Sequence, residues 1–430
     1  MSRVQSLPAD FNHNLVMTDN GSRVSSFGGL VMVREFMDKI QWDCRIAECV
    51  PFEDWRVRPT HAYKDLLSLG ALQRVAGFAT DTSMNILRQD PIWLKVWDGR
   101  LPAQATMTRF FQTFRQNLPA LAGLHRLALQ LANIKLKHMR GNLVLDMDST
   151  HFDTFGHQEG AAFNGHYLAV GYHPWVVYEG RTGLLLDIQL RSGEVFTSVN
   201  AGNYLDDLLA HYRDRSVILR GDSGFATPEV YEAAERNGVN YVIKFRDNEL
   251  LKGLSPNIVN HDPAFCDDER EHYYVTQYRA TGWSRPRRLI IAAQKKVENL
   301  DITYQYFLTS LQSPAETIVQ FYRKRGQMEN YIKETKSGFF ADQLSSANFF
   351  VNEARMMVAC LAYNLMQLMR LLVFPPRQRL WQIDTIRTHL LYIAASVADH
   401  ARRTWINLTR GHPGQPLFWT IVKNVQALRV

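Results

Sequence analysis

Cysteine is scarce in this chain, and its spacing does not fit a metal site. The 430 residues include four cysteines, with no Cys-x-x-Cys pair and no paired histidine spacing nearby. This pattern argues against a zinc site and a disulfide framework, so it favours a reducing compartment. The N-terminus also lacks an apolar run of the signal-peptide kind.

Long uninterrupted apolar stretches are lacking as well. The most apolar segment, residues 356–374, is interrupted by Asn364, Gln367 and Arg370 at helical spacing. That pattern suits a packed helix better than a membrane span. We therefore expect no membrane partner.

An excess of acidic residues is also absent, and the chain is mildly basic. Lysine and arginine number 49 against 42 aspartates and glutamates, which gives a formal net charge of +7. This balance favours a polyanionic partner through electrostatic steering, although many basic proteins bind no nucleic acid. The length predicts two to four structural units, and the 46% hydrophobic fraction indicates folded, globular material.

Residues 1–135 contain helix-like stretches but no catalytic pattern. The stretches are residues 30–40, 61–77 and 105–114. Short helices joined by polar turns could form a helix-turn-helix that reads DNA. A helical bundle used only for packing fits the same residues equally well. We predict a helical N-terminal DNA-binding region, without a named base-reading residue.

A strand over residues 143–150 carries two aspartates on one face. Asp146 and Asp148 are two residues apart in LVLDMDST, so a strand projects both to the same side. Unpaired carboxylates on so apolar a strand are costly, and metal binding supplies a reason for them. The simpler alternative is a strand end at which Asp148 only bonds the following turn.

Alternating extended and helical segments follow, and they predict a mixed α/β sheet with a β-α-β-α-β half. These segments are strands over 165–179 and 183–191, a helix over 203–213, a strand over 217–221, a helix between Thr227 and Gly238, and a strand over 241–245.

Asp222 follows the strand over 217–221, at the carboxyl edge where open α/β sheets place their sites. The surrounding string GDSGF also resembles the nucleophile loop of trypsin-like proteases. That interpretation fails because the context is strand to helix, and because Phe225 replaces the second glycine. Asp222 therefore remains a candidate catalytic residue.

Residues 251–312 are rich in turns and strand-like segments, and they predict a β-rich insertion. Trp283, Arg285, Arg287 and Arg288 cluster in the turn TGWSRPRRL. An exposed Trp beside arginines could stack on a base and grip phosphates. A hairpin with a packed Trp and solvated arginines is an equal alternative.

The stretch FYRKRGQMENYIKETK, residues 321–336, predicts an amphipathic helix with an unusual polar face. At about 100° per residue, one stripe holds Tyr322, Arg325, Glu329, Lys333 and Lys336. One carboxylate among cations suits an anionic partner. Glu329 could bind a metal ion while the cations bind phosphates. The plain alternative is an ordinary surface pair of Glu329 with Lys333.

Three carboxylates, Asp148, Asp222 and Glu329, can thus converge at one sheet edge. Such oxygen donors suit two Mg²⁺ or Mn²⁺ ions rather than zinc, with Asp146 as a further candidate ligand. Two such ions stabilise the attacking and leaving oxygens of a phosphoryl displacement. The predicted reaction class is phosphodiester cleavage or transfer.

These residues carry a resemblance to the DDE transposases of bacterial insertion sequences, in the group with a Tyr-Arg-Glu-Lys signature. The signature spacing is met by Tyr322, Arg325, Glu329 and Lys336. Upstream, Asp148 is followed by a small residue and a threonine, and Asp222 lies at a strand end before a helix, as in that family. The resemblance spans about residues 140–375.

The resemblance implies a ribonuclease H-like core with a β-rich insertion before the catalytic-glutamate helix. It implies that the protein excises an element with terminal inverted repeats and integrates it into a target DNA. It also implies a homodimer on DNA, located in the bacterial cytoplasm at the nucleoid. Tyr322, Arg325 and Lys336 would bind phosphates near the cleaved end, with Lys333, Arg285 and Arg287 as further candidates. Trp283 would stack on a flipped base.

Five regions follow from this interpretation. They are the N-terminal region 1–135, the first part of the core 136–250, the insertion 251–312, the second part of the core 313–376 and a docking or dimerisation region 377–430. In the last region, residues 380–401 predict a helix and 404–410 a strand.

Two other functions remain open at this point. The same three carboxylates serve a ribonuclease H-like nuclease that cuts DNA without joining it. A protein that keeps the fold but only binds DNA, as a repressor or scaffold, is the other alternative.

Overall fold

The structure is a computed structural model that describes residues 5–19, 23–97, 99–262, 265, 270–295 and 302–429. The chain divides into two compact units. The terminal unit comprises Met1–Leu124, Gly338–Phe340 and Leu361–Val430, and the sheet unit comprises His125–Ser337 and Ala341–Cys360. Residues 377–430 thus group with the N-terminal helices, whereas the sequence analysis treats them as a separate region.

The N-terminal part of the terminal unit is mainly helical. Its elements are β1 (Ser6–Ala9), β2 (Asn12–Thr18), β3 (Val24–Ser25), α1 (Leu30–Lys39), α2 (Trp42–Cys49), α3 (Tyr63–Val75), α4 (Met84–Leu87), α5 (Pro91–Val96) and α6 (Gln104–Gln112). The three predicted helices correspond to α1, α3 and α6 and are confirmed. Each buries apolar residues at helical spacing, among them Phe36, Leu69 and Phe110.

The sheet unit alternates strands and helices. α7 (Leu118–Leu136) begins before the division between the units and leads into it. The further elements are β4 (Leu143–Ser149), β5 (Phe152–Asp153), β6 (Ala162–Asn164), β7 (Ala169–Tyr172), β8 (Trp175–Glu179), β9 (Leu185–Gln189), α8 (Ala201–Leu209), β10 (Val217–Gly221), α9 (Pro228–Arg236), β11 (Asn240–Phe245), α10 (Glu249–Asn260), β12 (His272–Tyr278), β13 (Arg287–Lys295), β14 (Ile302–Thr309), α11 (Ala315–Arg323), α12 (Gln327–Lys333) and α13 (Phe349–Val373).

Eight strands of this unit form one mixed sheet, in the order β12-β13-β14-β11-β10-β4-β8-β9. β10 is parallel to both β4 and β11. On its other side, β4 is antiparallel to β8, which forms a hairpin with β9. A separate small sheet contains β5, β7 and β6. The predicted mixed α/β sheet is confirmed, with β4 between β10 and β8.

The strands of residues 251–312 join this sheet rather than forming a separate β-rich region. β14 pairs antiparallel with β11, and β13 and β12 extend the same sheet. Burial explains the arrangement, because Ile290 and Phe307 form a cluster with Ile318 and Val319 of α11. Strands this apolar need cover that a surface hairpin would not have.

The turn between β8 and β9 is held by a buried carboxylate. Glu179 is inaccessible to solvent. It accepts hydrogen bonds from the Thr182 hydroxyl at 2.7 Å, the Thr182 N–H at 2.8 Å and the Val144 N–H at 3.2 Å. Gly183 has a φ of 68°, which glycine adopts without steric cost. The side chain of Glu179 thus ties this hairpin to β4.

α13 is the one helix in the described part of the chain that is long and apolar enough to cross a membrane. Burial accounts for its composition, since 89% of its most apolar window lies inside the protein. The helix contributes residues to both units. It ends at Val373, two residues before Pro375.

The C-terminal part of the terminal unit contains both helices and strands. Its elements are α14 (Ile383–Ile386), β15 (Ala395–His400), β16 (Arg403–Leu408) and α15 (Gln415–Ala427). The predicted helix over residues 380–401 is confirmed only over Ile383–Leu391, and its C-terminal part is wrong, because β15 pairs with β16 and β3. Pairing with the neighbouring β16 and with the distant β3 overrides the local helical pattern there. The predicted strand over 404–410 corresponds to β16.

Candidate active site

Two aspartates lie side by side at the carboxyl ends of neighbouring parallel strands. Met147 of β4 pairs with Gly221 of β10, so the residues that follow them, Asp148 and Asp222, are adjacent. Both side chains are half-buried. The polypeptide thus brings two of the predicted carboxylates to the edge where α/β sheets place their sites.

The environment of Asp148 favours a proton or a cation on its carboxyl group. The pKa of this carboxyl is raised to about 6, chiefly by burial; Arg325 lowers it, and the nearby Asp222 contributes to the rise. A carboxylate that is desolvated next to another carboxylate gains from any positive charge placed beside it. The pair is therefore a favourable cation site.

Backbone hydrogen bonds orient both aspartates. Asp222 accepts from the Gly224 N–H at 2.9 Å and begins the short 3-10 turn Ser223–Phe225. Asp148 Oδ1 accepts from the Ser149 N–H at 2.8 Å. That bond agrees with the simpler alternative, in which Asp148 only bonds the following turn. Its other oxygen, however, contacts a cation from a distant helix.

Residues 315–338 form a helical run with two irregular turns. A 3-10 turn at Lys324–Gly326 joins α11 to α12, and a π-helical turn at Glu334–Gly338 follows. The helix predicted over 321–336 is confirmed in position but not in regular geometry. Such irregular turns within helices are frequent at functional sites.

Arg325 connects this helical run to the acidic pair. Its Nη2 lies 2.8 Å from Asp148 Oδ2 and donates to the Met147 carbonyl at 3.0 Å. The two side chains are only 11% and 18% exposed. A partly buried guanidinium group therefore supplies positive charge where the carboxylates need it.

Lys336 contacts the chain just beyond β4. Its Nζ donates to the His151 carbonyl at 2.6 Å and lies 5.4 Å from the centre of the Phe152 ring. Lys333 is exposed and has no ion-pair partner among the described residues. Both ammonium groups remain candidates for DNA phosphates.

Tyr322 belongs to the core rather than to the surface. It is 9% exposed, and its ring centre lies 5.0 Å from that of Phe307. Burial raises the pKa of its hydroxyl to about 12; Arg325 lowers it, and Asp222 and Asp148 raise it. A phenol this buried has little surface to offer a phosphate, so it supports the helix beside the acidic pair.

Glu329 does not join the two aspartates. It is exposed in the first turn of α12. Within the described ranges, no group of three or more His, Cys, Asp or Glu side chains could hold a metal ion. Arg325, four residues earlier on the same stripe, faces Asp148 instead. The structure therefore assembles two of the three predicted carboxylates.

Asp146 does not fit the predicted role of metal ligand. Both of its oxygens are bonded to Arg220, at 2.6 and 2.7 Å, and the two side chains are 1% and 2% exposed. Arg220 also donates to the Phe321 carbonyl at 2.5 Å. The reason for an aspartate at this position is an ion pair that ties β4 and β10 to α11.

Trp283 is packed rather than exposed, so the expectation of a base-stacking Trp is wrong. It is 5% exposed, and its ring contacts those of Tyr231, Tyr278 and Phe245 at 5.5 to 5.8 Å. The guanidinium group of Arg287 lies 5.2 Å from it. The alternative of a hairpin with a packed Trp is the correct one.

The neighbouring arginines form ion pairs with α9. Arg287 is 3% exposed and lies 3.0 Å from Glu235, which excludes it from gripping a phosphate. Arg285 lies 2.8 Å from the same carboxylate, but 60% of its side chain is exposed. Only Arg285 of this predicted pair keeps a surface that DNA could contact.

Sequence analysis missed two residues at this site. Arg220 could have been identified, because an arginine inside the apolar strand VILRG requires a buried partner. Tyr167 gave no such signal, since it lies in the loop between β6 and β7. Its ring stacks on His151 with a centre-to-centre distance of 5.0 Å. Burial raises the pKa of its hydroxyl, and Asp148 and Asp222 add to the effect.

The fold and the site define a class of enzyme. Paired carboxylates at strand ends suit a hard divalent cation, and the Arg325 guanidinium beside them shows that a positive charge fits there. Lysines on the same helical run suit phosphates. This combination is typical of metal-dependent phosphoryl transfer.

The chain belongs to the family described as Transposase DDE domain group 1, whose model matches residues 7–430. It is a DDE transposase, an enzyme that cleaves and joins DNA and uses divalent metal ions. The resemblance to DDE transposases is confirmed.

No curated protein matches the chain. Among solved structures, it is similar to a piggyBac transposase synaptic complex with hairpin DNA, with a TM-score of 0.49, 11% identity, and coverage of 90% of this chain and 82% of that chain. It is also similar to a simian T-cell lymphotropic virus intasome in complex with PP2A regulatory subunit B56 gamma, with a TM-score of 0.19 and 13% identity. That match covers 46% of this chain and 92% of the intasome chain. Both likenesses are too low to support an argument about this protein.

Proposed function

We propose that this transposase excises and integrates an insertion sequence, with Asp148, Asp222 and Glu329 as its catalytic carboxylates. The observation that supports this is the Asp148–Asp222 pair at two parallel strand ends, with the helix that carries Glu329 anchored beside it through Arg325. The hairpin on one side of β4 and the parallel strands on the other support a ribonuclease H-like core.

For Asp148, Asp222 and Glu329 to bind metal together, the Arg325 side chain must move away from Asp148. Asp148 has a pKa of about 6, so its ionised form prevails at neutral pH and can bind a cation. Arg325 now occupies one of its oxygens. Glu329 lies on the same helical stripe, and it completes the set when Arg325 turns from Asp148 to a DNA phosphate.

Three carboxylates suit Mg²⁺ or Mn²⁺, because hard cations prefer oxygen ligands. When bound, two such ions stabilise both the attacking and the leaving oxygen of an in-line displacement. Asp148 and Asp222 would hold them from the sheet, and Glu329 would hold them from the helix. Asp146 is excluded from the set because Arg220 engages both of its oxygens.

The proposed reaction has two phosphoryl-transfer steps. In the first, water attacks the phosphorus at the element's end, the bond to the 3′-oxygen breaks, and a 3′-hydroxyl and a 5′-phosphate result. In the second, this 3′-hydroxyl attacks a phosphorus of the target DNA. A new phosphodiester bond forms, and the target's own 3′-oxygen leaves with a proton.

DNA contacts follow from the cations of the helical run and of the turn before β13. Lys333, Lys336 and the released Arg325 bind phosphates near the cleaved end, with Arg285 as a peripheral contact. Region 1–135 binds the terminal inverted repeats. Because two element ends must be paired, the chain acts on DNA as a homodimer, in the bacterial cytoplasm at the nucleoid.

The test is cleavage of a plasmid that carries the flanking inverted repeats, with Mg²⁺, with Mn²⁺ and with chelator. Wild type is compared with Glu329→Gln, which keeps the size of the side chain but removes its charge. We expect metal-dependent excision and joining by wild type, and DNA binding without cleavage by the variant.

The outcomes separate the alternatives. Cleavage without any joined product would identify a nuclease that lacks strand transfer. Specific binding with no cleavage by wild type, in either metal, would identify a repressor or scaffold. Full excision by Glu329→Gln would remove Glu329 from the catalytic set.

A further inference from the structure

The terminal unit contains a basic cavity of about 610 Å³. Its charged or titratable lining consists of Arg56, His61, Arg88, Arg100 and Arg109, and no described acidic side chain lines it. These residues come from the loop before α3, the end of α4, the loop after α5, and α6. We call this feature the arginine cavity. It lies in the terminal unit, whereas the acidic pair lies in the sheet unit.

Three of these arginines are available to a ligand. Arg88, Arg100 and Arg109 are exposed, and none has an ion-pair partner in the described part of the chain. Arg56 differs, because its Nη2 lies 2.5 Å from Asp54 and its guanidinium group lies 4.0 Å from the Tyr63 ring centre. The side chain of Arg56 is thus held in place by its own contacts. The other three arginines supply positive charge that no carboxylate neutralises in the described part of the chain.

The pKa of His61 is affected by three of these arginines, which shows that they lie close to one another around the cavity. Burial lowers the pKa of its imidazole; Asp65 raises it, and Arg56, Arg100 and Arg88 lower it further. The net charge of the cavity near neutral pH therefore comes from guanidinium groups. Like charges gathered in one concave site repel each other unless an anion joins them.

The amino end of α6 lies beside the same cavity. Ala103 and Thr106 line it, and Ala103 is an N-cap residue without a capping side chain. The N–H groups of Gln104 and Ala105 have no acceptor among the residues that the structure describes. Free N–H groups at a helix start, together with the helix dipole, favour an anion.

The concave surface extends beyond one pocket, and the Gln104 and Ala105 N–H groups belong to the second. A second depression of about 570 Å³ shares Ala103 and Arg109 with the arginine cavity. Asn85 lines it and bonds the Gln104 side chain at 3.0 Å, which holds α4 against α6. The two depressions adjoin at the amino end of α6, so the surface suits a chain of anionic groups better than a single ion.

We propose that the arginine cavity binds backbone phosphates of duplex DNA. The proposal rests on the proposed transposase function, and it gives the N-terminal region the contact residues that its sequence did not reveal. Guanidinium groups recognise phosphates through paired N–H donors. Phosphate contacts of this kind fix the register of a protein on DNA without reading its sequence.

The test is the salt dependence of binding to a duplex that carries the element's end, with the full chain. A triple variant with Arg88→Gln, Arg100→Gln and Arg109→Gln is compared with wild type. Each lost phosphate contact lowers the slope of log affinity against log salt by about 0.9, so we expect a total decrease of about 2 to 3. Affinity near 0.15 M salt should fall at least about tenfold.

Two further variants separate charge from structure. Arg115→Gln removes an exposed arginine of the same unit that does not line the cavity, and it should leave the slope unchanged. Replacing the three arginines by lysine keeps the charge and should retain most of the slope. If the triple variant unfolds early, the single Arg88→Gln variant replaces it, with an expected decrease of about 0.9.

An unchanged slope in a folded triple variant would overturn the proposal. Calorimetric titration with inorganic phosphate separates the sources of the anion. If the triple variant loses phosphate binding but keeps its DNA slope, the cavity is a small-anion site and the duplex proposal is wrong. Excision by wild type tests the transposase function separately, since a normal slope effect without excision contradicts only the catalytic proposal.

Discussion

β4 carries two aspartate–arginine pairs, and they differ in almost every physical respect. Asp146 binds Arg220 through two hydrogen bonds, and both side chains are at most 2% exposed. Asp148 contacts Arg325 through one oxygen at 2.8 Å, where the side chains are 18% and 11% exposed. The first pair lies inside the sheet and the second lies at its edge.

The difference shows that position along a strand decides the role of the same two residue types. Arg220 is fixed by three bonds, two to Asp146 and one to the Phe321 carbonyl. Such a pair holds elements together and has no oxygen left for a ligand. Arg325 contacts only one Asp148 oxygen, and the other accepts from a backbone N–H.

The largest effect is expected from breaking the inner pair. Arg220→Ala leaves a buried, unpaired Asp146, and this should lower the free energy of unfolding by about 3–5 kcal/mol. Urea denaturation at neutral pH measures it. The double variant Asp146→Leu, Arg220→Met should recover most of the loss, because it removes both charges. A loss below about 1 kcal/mol for Arg220→Ala would contradict the structural role.

The pH dependence of stability should report the burial of the outer aspartate. The pKa of Asp148 is raised from 3.8 to about 6 on folding, so folding favours its protonated form. The resulting stability is fully present below about pH 4 and is lost as the pH rises through 6. Relative to Asp148→Asn, wild type should therefore lose about 2–3 kcal/mol between pH 4 and pH 7. Urea titrations with chelator measure this difference, and a constant difference would show that Asp148 is not perturbed.

Breaking the outer pair should cost less stability than breaking the inner one. Arg325→Ala removes the contact with Asp148 and the hydrogen bond to the Met147 carbonyl, and we expect a loss of about 1–2 kcal/mol. Without the guanidinium group, the pKa of Asp148 should rise above 6, which NMR titration can follow. Arg325→Lys serves as the control, since it keeps the charge. A loss as large as that of Arg220→Ala would erase the distinction between the pairs.

Lys336 should have the smallest effect on stability, because it contacts a carbonyl rather than a carboxylate. Lys336→Ala should change the unfolding free energy by less than about 1 kcal/mol. It should also lower the salt slope of DNA binding by about 0.9, which corresponds to one phosphate. Lys324→Ala, at an exposed position off the polar stripe, is the matched control. Equal slopes for both variants would argue against a phosphate contact at Lys336.

The parts of the site that depend on local pattern could be predicted from the sequence. The alternation in LVLDMDST places Asp146 and Asp148 on one face of a strand, and the strand-end rule places Asp222 at the same edge. Both rules need only the residues nearby. The mixed sheet and the helix over 321–336 follow from periodicity in the same way.

The parts that depend on distant partners could not be predicted. From the local sequence, Asp146 is predicted to be a metal ligand, because its partner Arg220 lies 74 residues later in the chain. Trp283 and Arg287 read as a DNA-binding turn because Glu235, 52 residues before Arg287, is not visible as a neighbour. The exposed position of Glu329 depends on how its helix lies on the sheet. Local pattern carries no information on that placement.

The bond from Arg325 to the Met147 carbonyl has a consequence for how the enzyme comes into being. These residues are 178 positions apart, and Arg220 lies 101 positions from Phe321. Contacts between residues so far apart in the sequence form late in folding, because the entropy cost of closing a large loop comes before the contact can stabilise it. A growing chain on the ribosome therefore displays its two aspartates long before the helix that carries Arg325 and Glu329 has been made. If the proposed catalytic set is correct, a truncated product of the gene would contain the same two aspartates and yet be unable to cut DNA.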